Sequence, residues 1–243
     1  MRNLLLSVLL AWFCCSTAQA APATVEVGYY EFPPYSWSDA DGKPRGSILQ
    51  LTDRLLRQAG YRGHYRSLPG ARLYADLQDG SIQLWAGAGG KPELVEHTLE
   101  SRHILGEFNL ALFARPGESL PNLPDGLRGK RLILINGYSY WQDINTLLSD
   151  PSLNLELHRT STHEAALAML MRQRGDYLLD YQTPVDQARE RLNIPRLPFL
   201  VLQRLQSRLI VSRHTPGSEA LLQALDRAYE ELGGAEKLQI HLD

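Results

Sequence analysis

Residues 98–116, TLESRHILGEFNLALFARP, decide how the rest of the chain is read. The stretch opens with polar residues around Arg102 and runs into Phe108, Leu110, Leu112 and Phe113 before stopping at Arg115-Pro116-Gly117. Its second half alternates apolar and polar positions and is bounded by Pro and Gly, so it reads as a buried strand leaving a domain. Arg102 stands just ahead of that strand. Either its planar fork is offered to a carboxylate in a cleft, or it pairs on the surface with Glu100 or Glu107.

Upstream, the pattern is β-α-β-α-β. Residues 25–30 alternate as a strand and feed a loop, 31–46, that holds Phe32, Pro33, Pro34, Tyr35 and Trp37. The prolines keep that loop extended and hold its rings at the strand's carboxyl end, where ligands bind in open α/β sheets. Tyr35 and Trp37 serve equally well as plugs at the core edge. Ser47 is a candidate cap for a helix in which Ile48, Leu51, Leu55 and Ala59 share a face until Gly60 ends it. A strand over 61–68, a helix over 71–77 closed by Asp79-Gly80, and a strand over 82–86 follow. Such a succession implies a parallel sheet with crossover helices. The third strand carries Trp85, a pocket wall or core residue, and runs into Gly87-Ala88-Gly89-Gly90. No Gly-Lys-Ser/Thr follows, so this run reads as a backbone-lined pocket wall rather than a phosphate loop.

Downstream of Pro116, a polar, Pro-rich crossing is followed by a second start of the pattern. Residues 131–136 form a strand, 137–140 a turn through Tyr138 and Ser139, and 141–148 a helix. Ser139 would sit near that helix's N-terminus, as its cap or where an anion docks. Thr162 caps a helix over 163–172, and Tyr177-Leu178-Leu179 forms a strand ending at Asp180-Tyr181. A carboxylate at the end of a buried strand must be paired or wet, so Asp180 is either a cap or a ligand contact. Strands over 197–203 and 208–212 and a helix over 218–232 close the chain.

The first twenty residues read as a leader. Arg2 precedes an apolar run of about ten residues, too short to span a bilayer, and Ala18-Gln19-Ala20 is a small-x-small cleavage site. Cleavage after Ala20 removes both cysteines, Cys14 and Cys15, leaving a chain with no disulfide framework, thiol nucleophile or cysteine metal site. Charge is near balance, with 25 basic and 27 acidic residues and no basic block, which argues against a nucleic-acid surface or polybasic membrane patch. The seven histidines form no ligand pair on one helix face. His163-Glu164 lacks the second histidine of a zinc-protease motif, and there is no Gly-x-Ser-x-Gly elbow. No catalytic residue, metal or cofactor is assigned.

With these pieces placed, the chain resembles the bacterial extracellular solute-binding proteins of family 3, which serve polar amino acid uptake. The resemblance is carried by residues 28–37 with 42–56, 80–102, Leu127-Arg128-Gly129-Lys130-Arg131 with Gly137-Tyr138-Ser139, 174–180, and the terminal helix. It implies a type II periplasmic-binding-protein-like α/β fold: two lobes, a hinge, and a ligand cleft between the lobes. By the same resemblance, Arg102 binds a ligand carboxylate, Ser139 assists, Asp180 takes the α-amino group, and Tyr30, Tyr35 or Trp37 sandwich the side chain. Tyr138, Trp85 and Gly87 complete the expected site. The chain departs from the family pattern at Ala88-Gly89-Gly90-Lys91-Pro92, where a Ser/Thr-rich run is usual, and Glu31 is a weak candidate for a first-loop acid.

The expected organisation is a signal peptide over 1–20, a discontinuous first lobe over 21–116 plus 208–243, and a second lobe over 117–207. The lobes would have separate sheets joined by crossings near 115–118 and 206–208. The expected function is a monomeric periplasmic, non-enzymatic receptor that captures an amino acid or small carboxylate and delivers it to an ABC transporter permease in the inner membrane. Two alternatives use the same scaffold: a periplasmic enzyme resembling cyclohexadienyl dehydratase, and the ligand-binding subunit of a signalling system.

Overall fold

The computed structural model describes residues 22–238; the leader reading lies outside the described residues. Eleven strands and seven helices run in the order β1 (Thr24–Tyr29), β2 (Trp37–Ser38), β3 (Pro44–Arg45), α1 (Ser47–Gln58), β4 (Arg62–Ser67), α2 (Gly70–Asp79), β5 (Leu84–Ala88), β6 (Thr98–Glu100), β7 (Gly106–Phe113), β8 (Arg131–Ile135), α3 (Gln142–Ser149), β9 (Glu156–Thr160), α4 (His163–Met171), β10 (Tyr177–Tyr181), α5 (Gln182–Arg191), β11 (Phe199–Ser212), α6 (Ser218–Glu231) and α7 (Gly234–Leu238).

The strands make two parallel triplets. In the first half, β1 lies between β4 and β5; in the second, β8 lies between β10 and β9. Each triplet has its first strand in the middle, as right-handed β-α-β crossovers on either side of a starting strand require. This gives the two α/β lobes of a periplasmic-binding-protein-like fold.

The join between the lobes differs from the sequence expectation. Hydrogen bonding is continuous through the order β4-β1-β5-β11-β7-β10-β8-β9, with β6 also on β11. β11 pairs with β7 from Phe199 opposite Phe113 to Ser207 opposite Gly106, with a register shift between Val201 and Gln203. The two strands expected over 197–203 and 208–212 are therefore one, and Gln206 to Arg208 lie within it. A polar run, Gln203-Arg204-Leu205-Gln206-Ser207-Arg208, looks like a break in sequence; the antiparallel partners β7 and β5 satisfy its backbone groups and keep it extended.

Local signals place most of the other elements. α1 buries Ile48, Leu51, Leu55 and Leu56 on one stripe, and α2 stops at Gly80, whose φ of 86° suits a residue without a Cβ. Thr162 caps α4, its side chain accepting from the Ala165 N–H at 3.1 Å. The chain then returns to the first lobe: α6 lies by α1, where Gln58 Nε2 donates to Glu231 Oε2 at 2.8 Å. Beneath β1, Gly28 lets Leu73 of α2 and Ile82 pack against the strand; an added Cβ would collide with both side chains. Gly28→Ala is expected to lower stability by about 1–3 kcal/mol through overpacking, seen as a fall in melting temperature.

Candidate functional site

A cleft of about 820 Å³ opens between the lobes. Its first-lobe wall is Tyr30 and Glu31 after β1, Pro33, Pro34 and Trp37 from the loop, and residues 67–70 at the end of β4. Its second-lobe wall is residues 135–138 after β8, residues 161–164 after β9, and Gln187 and Arg191 of α5. Carboxyl ends of parallel strands from both lobes thus face one space, the usual place for a ligand in open α/β sheets.

An aromatic layer floors this space. Tyr30 meets Tyr138 across the lobes with ring centroids 5.9 Å apart, and Phe32 and Phe108 meet Tyr181 at 5.1 and 5.4 Å. Burial pushes the Tyr30 phenol up to about 12, partly offset by its hydrogen bond with Tyr74. Burial, reinforced by the Asp180 charge, likewise raises the Tyr138 phenol. Both therefore keep their hydroxyl protons at neutral pH.

The lobes touch beside that layer. A Cβ built on Gly70, the first residue of α2, would stand 2.5 Å from the Gly137 carbonyl oxygen of the opposite lobe. Further along, buried Lys91 donates through Nζ to the Ser139 carbonyl at 2.5 Å and to Ser139 Oγ at 3.0 Å, 3.9 Å over the Trp141 ring. Ser139 Oγ donates in turn to Glu93 Oε1 at 2.6 Å. These bonds tie the loop after β5 to the turn after β8. Desolvation lowers the Lys91 ammonium from 10.5 to about 8, against the opposing charge of Glu93. The unfolded chain therefore holds this proton to higher pH, and the Lys91 contribution to stability grows as pH rises from about 8 to 10.5. Lys91→Met is expected to flatten the rise in melting temperature over that window.

The sequence-named residues divide. Tyr30, Trp37 and Tyr138 line the cleft. Ser139 lies at the lobe contact, and it does not cap α3, whose N-cap is Trp141. Tyr35 is 2% exposed and packs on Phe32, and Trp85, also 2% exposed, packs between Tyr30 and Tyr74. Gly87 is buried in β5, where a Cβ would enter the Trp85 ring.

The structure does not bring Arg102 to the cleft. It is exposed and ion-paired with Glu230 of α6, with Asp226 at 3.9 Å. Neither Glu100 nor Glu107 is its partner; Glu100 instead accepts from the Gly90 N–H at 2.7 Å. Asp180 is 0% exposed rather than facing a wet cleft. Its Oδ2 meets His163 Nδ1 at 2.7 Å, and its Oδ1 accepts from the Tyr181 N–H at 2.7 Å.

Sequence reasoning missed His163, Lys91, Gly70 and Arg191. His163 carried a signal, since it directly follows the Thr162 cap and its side chain starts the helix at a sheet's carboxyl end. Lys91 carried one too, as a lone cation after a glycine run. Among the described residues, no cluster of His, Cys, Asp and Glu is arranged to hold a metal ion. Nor is any helix among them long and apolar enough to cross a membrane.

No protein-family model matches the sequence, and no curated protein matches it. Solved structures do share its fold. A putative L-cystine ABC transporter protein from Listeria monocytogenes is 20% identical with a TM-score of 0.73, covering 89% of this chain and 96% of that one. A histidine kinase sensor domain with similarity to periplasmic binding proteins is 20% identical with a TM-score of 0.70, covering 87% and 91%. The ancestral amino acid-binding protein AncCDT-1, a precursor of cyclohexadienyl dehydratase, is 13% identical with a TM-score of 0.69, covering 90% and 96%. This chain shares with them a periplasmic-binding-protein-like fold.

Proposed function

We propose that this protein is a periplasmic solute-binding protein of the family 3 kind, which captures a small amino acid-like ligand or small carboxylate between its lobes and delivers it to an ABC importer. The observation that supports this most is the cleft itself, walled by strand ends of both lobes and floored by rings that meet across them. A ligand touching both walls stabilises the closed arrangement by its differential affinity for it. The first lobe is taken as 21–116 plus 208–243 and the second as 117–207, with β11 running from one to the other. Small-angle scattering and calorimetry with a panel of amino acids and small carboxylates test the reading. A binding ligand is expected to shrink the radius of gyration; tight binding without compaction would overturn closure.

A second reading has its own support. Asp180, His163 and Tyr138 form a hydrogen-bonded chain ending at the cleft wall, and a carboxylate-oriented histidine is suited to general acid–base work. Product analysis by mass spectrometry of any bound compound separates this enzymatic reading from capture alone, since a receptor returns its ligand unchanged.

A further inference from the structure

Asp180, which the resemblance would turn toward a ligand's ammonium group, has both oxygens engaged inside the protein. What the second lobe presents to the cleft at this point is the far edge of the His163 ring. His163 is 6% exposed, and its Nε2 lies 3.4 Å from the Tyr138 hydroxyl. We propose that the second-lobe wall of the cleft is a carboxylate site, in which the His163 imidazolium and the Tyr138 hydroxyl hold the anionic end of a small organic monoacid while Asp180 serves as the buried counter-ion. This rests on the reading of the cleft as a ligand site.

The charges around His163 favour this arrangement. Burial alone would depress the imidazole, but the charge and hydrogen bond of Asp180, with Glu164 adding to them, raise it above its ordinary value despite Arg191. Nδ1–H donates to Asp180, so the protonated ring has Nε2–H left to donate to the Tyr138 oxygen at the cleft wall. Tyr138 can accept that bond and still donate its own proton. A carboxylate then finds the Tyr138 O–H as donor beside the imidazolium charge, whereas an ammonium ligand meets a like charge. Of the other charged groups, Arg191 and Glu164 neutralise each other at 3.3 Å. Glu31, on the opposite wall, accepts from Ser38 Oγ and Ser67 Oγ at 2.9 and 3.1 Å. It sets the polarity: a second carboxylate on the ligand would face Glu31 and be repelled, so a monoacid fits, its body against Tyr30 and Trp37.

The test uses three compounds that share one ring: phenylacetate, phenethylamine and phenylalanine. Calorimetry near pH 6 is expected to show phenylacetate binding and no heat from phenethylamine. Phenylacetate affinity should fall about tenfold or more as pH rises from about 6 to 9 and His163 loses its charge. The double variant His163→Gln with Asp180→Asn keeps a neutral hydrogen-bonded pair; it should bind about tenfold more weakly near pH 6 and lose the pH dependence, with a melting curve confirming that it folds. Phenethylamine binding as tightly as phenylacetate, a flat pH profile, an unchanged double variant, or no phenylacetate binding would each overturn the carboxylate site. Phenylalanine separates this from the receptor reading. If it compacts the protein with no dependence on His163, the receptor reading stands and the carboxylate site falls.

Discussion

Replacing Gly70 by alanine is expected to weaken ligand binding roughly tenfold by obstructing the approach of the two lobes. Gly70 has no positive φ, and alanine is the better helix former by up to about 1 kcal/mol, so α2 itself gains. The cost falls on closure. The new Cβ would stand 2.5 Å from the Gly137 carbonyl oxygen, and the atom in the way is backbone of the other lobe, which cannot swing aside as a side chain would. Overpacking of this kind costs about 1–3 kcal/mol, which in affinity is about five- to 150-fold. Calorimetry with any ligand found by the panel, alongside scattering of the bound form, provides the check. An alanine variant that binds and compacts as the parent does would show that the Gly70–Gly137 approach plays no part in closure.

Asp180→Ala is expected to carry the largest loss of stability, about 3–5 kcal/mol, because it strands a buried histidine without its counter-ion. Asp180 and His163 are 0% and 6% exposed and bonded at 2.7 Å, so solvent does little to screen the pair. The pH dependence has a definite sign. His163 is raised in the folded protein, so its contribution is fully present below the ordinary imidazole value of 6.5 and fades as pH climbs through the higher folded value. In Asp180→Ala that decline should vanish, since the charge that raises the ring is gone. Melting temperatures of parent and variant between about pH 5 and 9 test both points. A loss below about 1 kcal/mol, or an unaltered pH profile, would mean that the pair does not hold a proton as described.

Much of the fold was legible because its signals are local. The apolar spacing of α1, the Thr162 cap and the Gly80 stop act within one or two helical turns, and the repeated β-α succession leaves few ways to build a sheet. The elements that escaped lack such marks. β9, Glu-Leu-His-Arg-Thr, is a largely exposed edge strand held by pairing with β8, and α5 is mostly polar with a proline in its first turn. Neither shows the periodicity that burial of one face imprints on a sequence.

For the site, the sequence put aromatic residues at strand ends, where each could face a ligand or plug the core. Tyr30, Trp37 and Tyr138 line the cleft, while Tyr35 and Trp85 are buried. Only the tertiary structure decided which charges are free there. Arg102 is drawn away by Glu230, a residue 128 positions later, because α6 returns to lie against the first lobe. Asp180 is enclosed by His163 from 17 positions earlier, because α4 begins where β10 ends. A charged side chain takes whatever opposite charge the fold brings within a few ångströms, and local sequence holds no record of that distance.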